Sequence, residues 1–304
     1  MDADFHLLNE NYGIPGQISF HLGPGNMVFA VINNRFGNAL VTLAGAHIMS
    51  YRPHNGRETL WSSPGAAFDL SLSMRGGIPL CWPWFGGLLG EPLYPIHGFA
   101  RTQIFTVCGV QDIEDGVTQL RLITGDSPAT HLLWPHDFEL EVSITLGQNL
   151  LVEWSARNPG TQPYQTTGAL HPYFGVSNVH DLTLRGLEGT EFLDHNANNQ
   201  RKTQQSAVTF STGIDNIYLD TTADMAIEDP GFKRTIHLRK TGSHTSVVWN
   251  PGWDDAAIPD IGAGQHQFFV CVEAANAAGD VVRVAPGGEA RLGMEIEIEN
   301  WRET

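Results

Sequence analysis

A chain of 304 residues with 41% hydrophobic and 16% charged residues has material for a large core and lacks the high-charge, low-aromatic signature of disorder. Seventeen Lys and Arg against 33 Asp and Glu give a formal charge of -16, which opposes sequence-independent binding to nucleic acid or to an anionic membrane. A small phosphorylated molecule is compatible with that field only where one or two Arg reverse its sign locally.

In chain order, Met1, Asp2, Ala3, Asp4 and Phe5 open without an apolar leader core, and no apolar run long enough to span a bilayer follows. A soluble, unsecreted, cytoplasmic protein is expected. Short runs rich in Val, Ile, Thr and Phe predict strands at 27–32 and 38–43. Segment 61–98 is rich in Pro and Gly and too long for a plain turn, which makes it a place to look for chemistry. Strands at 104–110 and 117–123 flank the turn residues Glu114, Asp115 and Gly116. Residues 139–146 alternate strictly between apolar and polar, as a strand with one buried face must. Gly147, Gln148 and Asn149 then turn the chain into 150–156. Further strands are predicted at 234–239 and 245–249, a second Pro/Gly-rich loop at 250–266, then strands at 268–274 and 280–284. The turn Pro286-Gly287-Gly288 precedes a last alternating strand, 294–299. Long helical periodicity is missing, and neither a compositional shift nor a fixed repeat marks a boundary. The expectation is an all-β chain, one large antiparallel β-sandwich domain over 1–304, with two fused smaller β units as the alternative. Cys81, Cys108 and Cys271 are odd in number and widely spaced, which argues against a disulfide framework or structural zinc site and for a reducing compartment.

No P-loop, GxGxxG, GxSxG or HExxH is present, so nucleotide, serine-hydrolase and zinc-protease chemistry lack sequence support. His131 and His136 bracket Leu132-Leu133-Trp134-Pro135, but with no third ligand nearby in sequence they are read as loop residues and no metal is assigned. In Met74-Arg75-Gly76-Gly77-Ile78-Pro79, Arg75 sits in an apolar run and needs an anionic partner, either a protein carboxylate or a substrate phosphate. The adjacent glycines would let backbone approach a ligand. Trp82 and Trp84 follow and read as core or loop-anchoring aromatics before sugar-stacking ones. His97-Gly98-Phe99-Ala100-Arg101 pairs a His and an Arg, weak evidence alone. His171 begins His171-Pro172-Tyr173-Phe174. Glu273 is the one carboxylate in the apolar strand Phe269-Val270-Cys271-Val272-Glu273-Ala274, so it either meets a cation structurally or is held for work. Asp215-Asn216-Ile217-Tyr218 reads first as an Asx-type turn entering a strand.

Taken in order, RGGIP, HGFAR, HPYF, DNIY and the Glu of CVEAAN resemble the hexose-6-phosphate mutarotases (glucose-6-phosphate 1-epimerases) of the aldose 1-epimerase, galactose mutarotase-like superfamily, over about residues 20 to 300. That resemblance implies a β-supersandwich whose open face holds the sugar. It implies His171 as general acid and Glu273 as general base, His97 in support near the anomeric oxygens, and Asp215 on a sugar hydroxyl. Arg75 and Arg101 are implied as the residues that recognise phosphate.

Exchange of anomers requires the C1 hydroxyl to lose a proton while the ring oxygen gains one, so ionised Glu273 and protonated His171 suffice and no cofactor is called for. The partner expected is a small hexose phosphate, with no nucleic acid or membrane, for a monomer or weak homodimer. The competing expectations are an enzyme of the same chemistry on free sugars and a carbohydrate-binding sandwich without catalysis.

Overall fold

The structure is a computed structural model describing residues 4–69, 72–88 and 90–302. Residues 1–3 of the acidic opening stretch lie outside the described residues, as do three positions of the 61–98 segment.

Two eight-stranded antiparallel sheets and one four-stranded sheet make up the body. The four-stranded sheet is a meander of Ile18–Leu22, Val28–Asn34, Gly37–Thr42 and His47–Pro53. One large sheet runs in the order Thr183–Arg185, Met225–Asp229, Arg234–Thr241, Glu289–Asn300, Leu150–Arg157, Glu139–Leu146, Thr118–Gly125 and Thr106–Asp112. The other, which carries the site, runs Gln200–Thr203, Glu191–Asp194, Ile214–Tyr218, Thr245–Asn250, Phe269–Asn276, Gly168–Leu170 and Leu80–Cys81. Tyr173–Gly175 also pairs with Phe269–Asn276.

Every strand predicted from sequence has its counterpart. Period-two patterning explains how the large sheets share a core: Val142, Ile144, Val152, Trp154, Leu292, Met294 and Ile296 of one meet Val270, Val272 and Ala274 of the other in a single buried cluster. On the outer side of the first sheet, Arg239 bridges to Glu295 and Glu297, as the alternation of the last strand requires. Asp115 and Gly116 both take positive φ, 45° and 82°, closing the hairpin between Thr106–Asp112 and Thr118–Gly125.

The strands Ile18–Leu22, His47–Pro53 and Met225–Asp229 were not expected, and neither were several shorter elements. Tyr164–Thr166, Gly168–Leu170, Tyr173–Gly175 and Thr183–Arg185 are three residues each, too brief for periodicity to register. Helix Phe5–Tyr12 is capped by the Asp4 carboxylate, which accepts from the His6 N–H at 2.9 Å. Asn9 ties that helix to Phe20 through both its amide groups. No helix of the described residues is long and apolar enough to cross a membrane.

Candidate active site

All eight residues of strand Phe269–Asn276 are buried. Val270, Val272 and Ala274 face the shared core, so the period of two sends Phe269, Cys271, Glu273 and Ala275 to the opposite face, which the long loops cover. On that face Val247 lies opposite Glu273, and Trp249 opposite Cys271. Leu170 pairs with Ala274 and Tyr173 with Cys271, so one register runs through the gap between these two short strands and brings His171 opposite Glu273. Pro172 cannot donate to the ladder, and the His171 N–H turns away to the Pro79 carbonyl at 3.1 Å. The two residues singled out far apart in sequence are therefore cross-strand neighbours, with His171 Nε2 3.2 Å from Glu273 Oε1.

Both line a cleft of about 360 Å³ together with Arg75, Phe85, Gly86, Gly87, His97, His195, Asp215, Val247 and Trp249. Glu273 is 0% exposed and His171 7%. Apart from that 3.2 Å approach, neither carboxylate oxygen of Glu273, nor Nδ1 of His171, has a hydrogen-bond partner among the described residues. A buried polar group left in that condition costs about 1–3 kcal/mol, so its presence needs a reason, and a ligand supplying the missing partners is one. Burial pushes Glu273 well above the carboxylate range, with the Asp215 charge adding to it, and pushes His171 well below the usual imidazole value, with His97 next. The sequence expectation of ionised Glu273 beside protonated His171 therefore meets an environment that favours the neutral form of each. Either way the pair holds one proton, and a donor and acceptor facing one cleft can protonate one oxygen while deprotonating another.

His97 comes from the 61–98 segment. Its left-handed backbone (φ 66°) lets its N–H donate to Gly86 while its Nδ1 accepts from the Gly86 N–H at 3.1 Å. Its ring meets His171 edge-on at 5.7 Å. Burial, followed by the charges of Arg101 and Arg75, depresses its pKa to about 3, so it faces the cleft as neutral imidazole. Asp215 lies opposite Trp249 on the same face, and its carboxyl is raised by burial against the opposing pull of His195, 3.2 Å away. The expected Asx turn is replaced by a full strand, Ile214–Tyr218.

Arg75 lines the cleft, and its anionic partner is a protein carboxylate: Nε and Nη2 reach Asp260 at 2.9 and 3.3 Å, while Nη1 donates to the Tyr173 hydroxyl. Burial works against its charge, but Tyr173 and Asp260 outweigh burial and raise its pKa. Arg101 is not brought to the cleft wall. It occupies the turn Ala100–Thr102 behind His97 and donates through Nη2 to the Ile96 carbonyl, although its charge still acts on His97 and His171.

The glycines of RGGIP need correction. A Cβ on Gly76 would sit 2.5 Å from Trp61 O, and one on Gly77 2.2 Å from Ile48 O, so both are small to let protein backbone pass and not a ligand. Trp82 and Trp84 are buried, as core and anchoring aromatics. Sequence reasoning missed Asp260, His195, Trp249 and the stacking of Tyr173 on His171 at 5.0 Å. Asp260 had a signal, since it lies in the 250–266 loop and Arg75 called for an anion. His195 had none. His131 lies in the short helix Pro128–Leu133 and not in a loop, and gains neighbours the sequence did not place near it, Asp126 at 3.1 Å and Asp137 at 3.5 Å. His136 packs on Trp134 instead. All three cysteines are free.

The family model for aldose 1-epimerase matches residues 27–297. The chain belongs to the aldose 1-epimerase family. It is therefore an isomerase of the epimerase type. It is 31% identical over 270 residues to an Escherichia coli K12 protein provisionally named glucose-6-phosphate 1-epimerase, covering 88% of this chain and 89% of that one. A Cenchrus ciliaris protein with the same provisional name is 33% identical over 266 residues, covering 83% and 79%. The crystal structure of a provisional mutarotase, YeaD, from Salmonella typhimurium superposes with a TM-score of 0.86 at 29% identity, covering 97% of this chain and all of that one. The all-β, galactose mutarotase-like sandwich expected from sequence is thus the fold of this epimerase.

Proposed function

We propose that this epimerase interconverts the α and β anomers of a hexose 6-phosphate, glucose 6-phosphate foremost, with His171 as acid and Glu273 as base. The observation that carries the proposal is the 3.2 Å approach of His171 Nε2 to Glu273 Oε1 on the floor of an open cleft, with their remaining polar atoms unpartnered. Sugar hydroxyls donating to Glu273, and the ring oxygen accepting from His171, favour the ionised carboxylate beside the imidazolium over the neutral pair. Glu273 then takes the C1 hydroxyl proton as His171 protonates the ring oxygen. The C1–O5 bond breaks, the aldehyde turns about C1–C2, and the ring recloses on the other face with both proton transfers reversed. His97 supports the anomeric oxygens as a neutral group, and Asp215 accepts from a ring hydroxyl.

Two relatives provisionally named for glucose 6-phosphate support a phosphorylated substrate. The phosphate is assigned to the Arg75 side, with Arg101 adding charge from behind. A free sugar is the second candidate because Asp260 already engages two nitrogens of Arg75. Free cysteines fit a reducing cytoplasm, and the proposed unit is a single domain over 1–304, a monomer or weak homodimer.

NMR exchange between anomers of glucose 6-phosphate and of free glucose tests this directly. The wild type should accelerate exchange, and His171→Ala or Glu273→Gln should abolish nearly all of it. Arg75→Ala and Arg101→Ala should raise KM for the phosphate and leave free glucose unaffected. Equal effects on both sugars would favour the free-sugar enzyme, and a wild type no faster than buffer would overturn both.

A further inference from the structure

We propose that His195 is a specificity-determining residue that, together with Asp215, reads two adjacent hydroxyls on the side of the hexose remote from the anomeric carbon; this rests on the sugar site proposed above. In strand Glu191–Asp194, Phe192 pairs with Tyr218 and Asp194 with Asn216, so the first residue beyond the strand, His195, falls opposite Asp215. The register that joins His171 to Glu273 at one end of the sheet thus has a counterpart two strands away. The turn that holds His195 is pinned: Asp194 accepts from the Ala197 N–H at 3.2 Å and from Lys202 Nζ at 2.6 Å, and Asn198 and Asn199 close it in the left-handed region.

His195 Nδ1 lies 3.2 Å from Asp215 Oδ1, and both side chains line the cleft. Neither Nε2 nor Asp215 Oδ2 has another protein partner among the described residues, so with Nδ1 donating to Asp215 Oδ1 the two stand as neighbouring acceptors. Two hydroxyl donors on adjacent carbons satisfy such a pair. A phosphate, which is an acceptor and anionic, does not, so this end of the cleft takes neutral hydroxyls and the Arg75 end takes charge. Asp215 lies two strands across from Glu273 and two residues along, a backbone separation of about 12 Å that a pyranose with its contacting side chains spans. A ring with C1 at His171 and Glu273 therefore turns its C3 and C4 hydroxyls toward His195 and Asp215.

Calorimetric titration measures this independently of turnover, with glucose 6-phosphate and its 2-, 3- and 4-deoxy analogues against wild type, His195→Ala and His195→Asn. Wild type should lose affinity roughly ten-fold on removal of the 3- or 4-hydroxyl and little on removal of the 2-hydroxyl. His195→Ala should weaken glucose 6-phosphate binding by a similar factor and lose little more on removal of the hydroxyl that Nε2 reads. His195→Asn, whose amide N–H can replace Nδ1, should recover the part due to Asp215 alone. Wild-type affinity in His195→Ala, or one uniform loss for all four ligands, overturns the inference. Wild-type binding without anomer exchange would instead sink the catalytic proposal and leave the deoxy series to decide this one, while absence of binding would sink both.

Discussion

Glu273 stands where a carboxylate is least comfortable, flat in a sheet with only the His171 ring beside its oxygens, and its cost to the fold has a sign that can be measured. Its folded pKa is raised, so the native chain holds its proton more tightly than the unfolded chain, whose carboxyl titrates near ~4.3. Between that value and the folded pKa, each rise in pH favours the unfolded state. Glu273→Gln should therefore melt at a higher temperature than wild type, with a gap that widens as pH rises from ~4.3 toward the raised folded value while activity is lost. A gap independent of pH would mean that the carboxyl is not held neutral. His171 and His97 act the other way: their folded pKa values are depressed, so their stabilising share is present above ~6.5 and is lost as pH falls toward the folded values. Glu273 was legible in sequence as the odd residue of an apolar strand. That only His171 approaches its oxygens was not, because satisfaction depends on what crosses the strand from elsewhere.

At the scale of the element, the 250–266 loop delivers Asp260 to Arg75 and is itself anchored by a buried pair, Asp255 and His266, with Oδ2 2.7 Å from Nδ1 and 3.0 Å from the His266 N–H. His266 is packed edge-on against Trp253 at 4.7 Å. Asp255→Ala strips two donors of their acceptor and should destabilise the fold by about 2–3 kcal/mol, read from urea unfolding. It should also raise KM for the sugar phosphate, since Arg75 loses the carboxylate that aims its guanidinium. Unchanged KM with lowered stability would show that Asp260 is held against Arg75 without the Asp255–His266 pair. Composition marked this loop and the 61–98 segment as sites of function, and the cleft draws Arg75, Phe85, Gly86, Gly87 and His97 from the latter. Their pairing was hidden because loops meet through contacts that no local period encodes.

Over the whole molecule the charge of -16 repels an incoming phosphate dianion at long range. Raising salt from about 10 mM to about 150 mM shortens the Debye length from ~30 to ~8 Å and screens the repulsion, whereas the partly buried Arg75 contact is screened far less. kcat/KM for the sugar phosphate should therefore rise over that range while that for free glucose stays flat. A fall with salt for the phosphate would mean that local cationic steering dominates the net field.

The sequence by itself determined those strands whose apolar and polar residues alternate with the pleat, and it made Glu273 and Arg75 conspicuous among their neighbours, while His171 and Asp215 stood out through the family motifs. Only the tertiary structure decided which of them meet. One register places His171 opposite Glu273 and another places His195 opposite Asp215, Asp260 answers Arg75, and Arg101 stays behind the wall. The physical reason is that a residue's type fixes what it can donate or accept, whereas a cross-strand partner is fixed by the pairing of distant segments, to which no window along the chain has access.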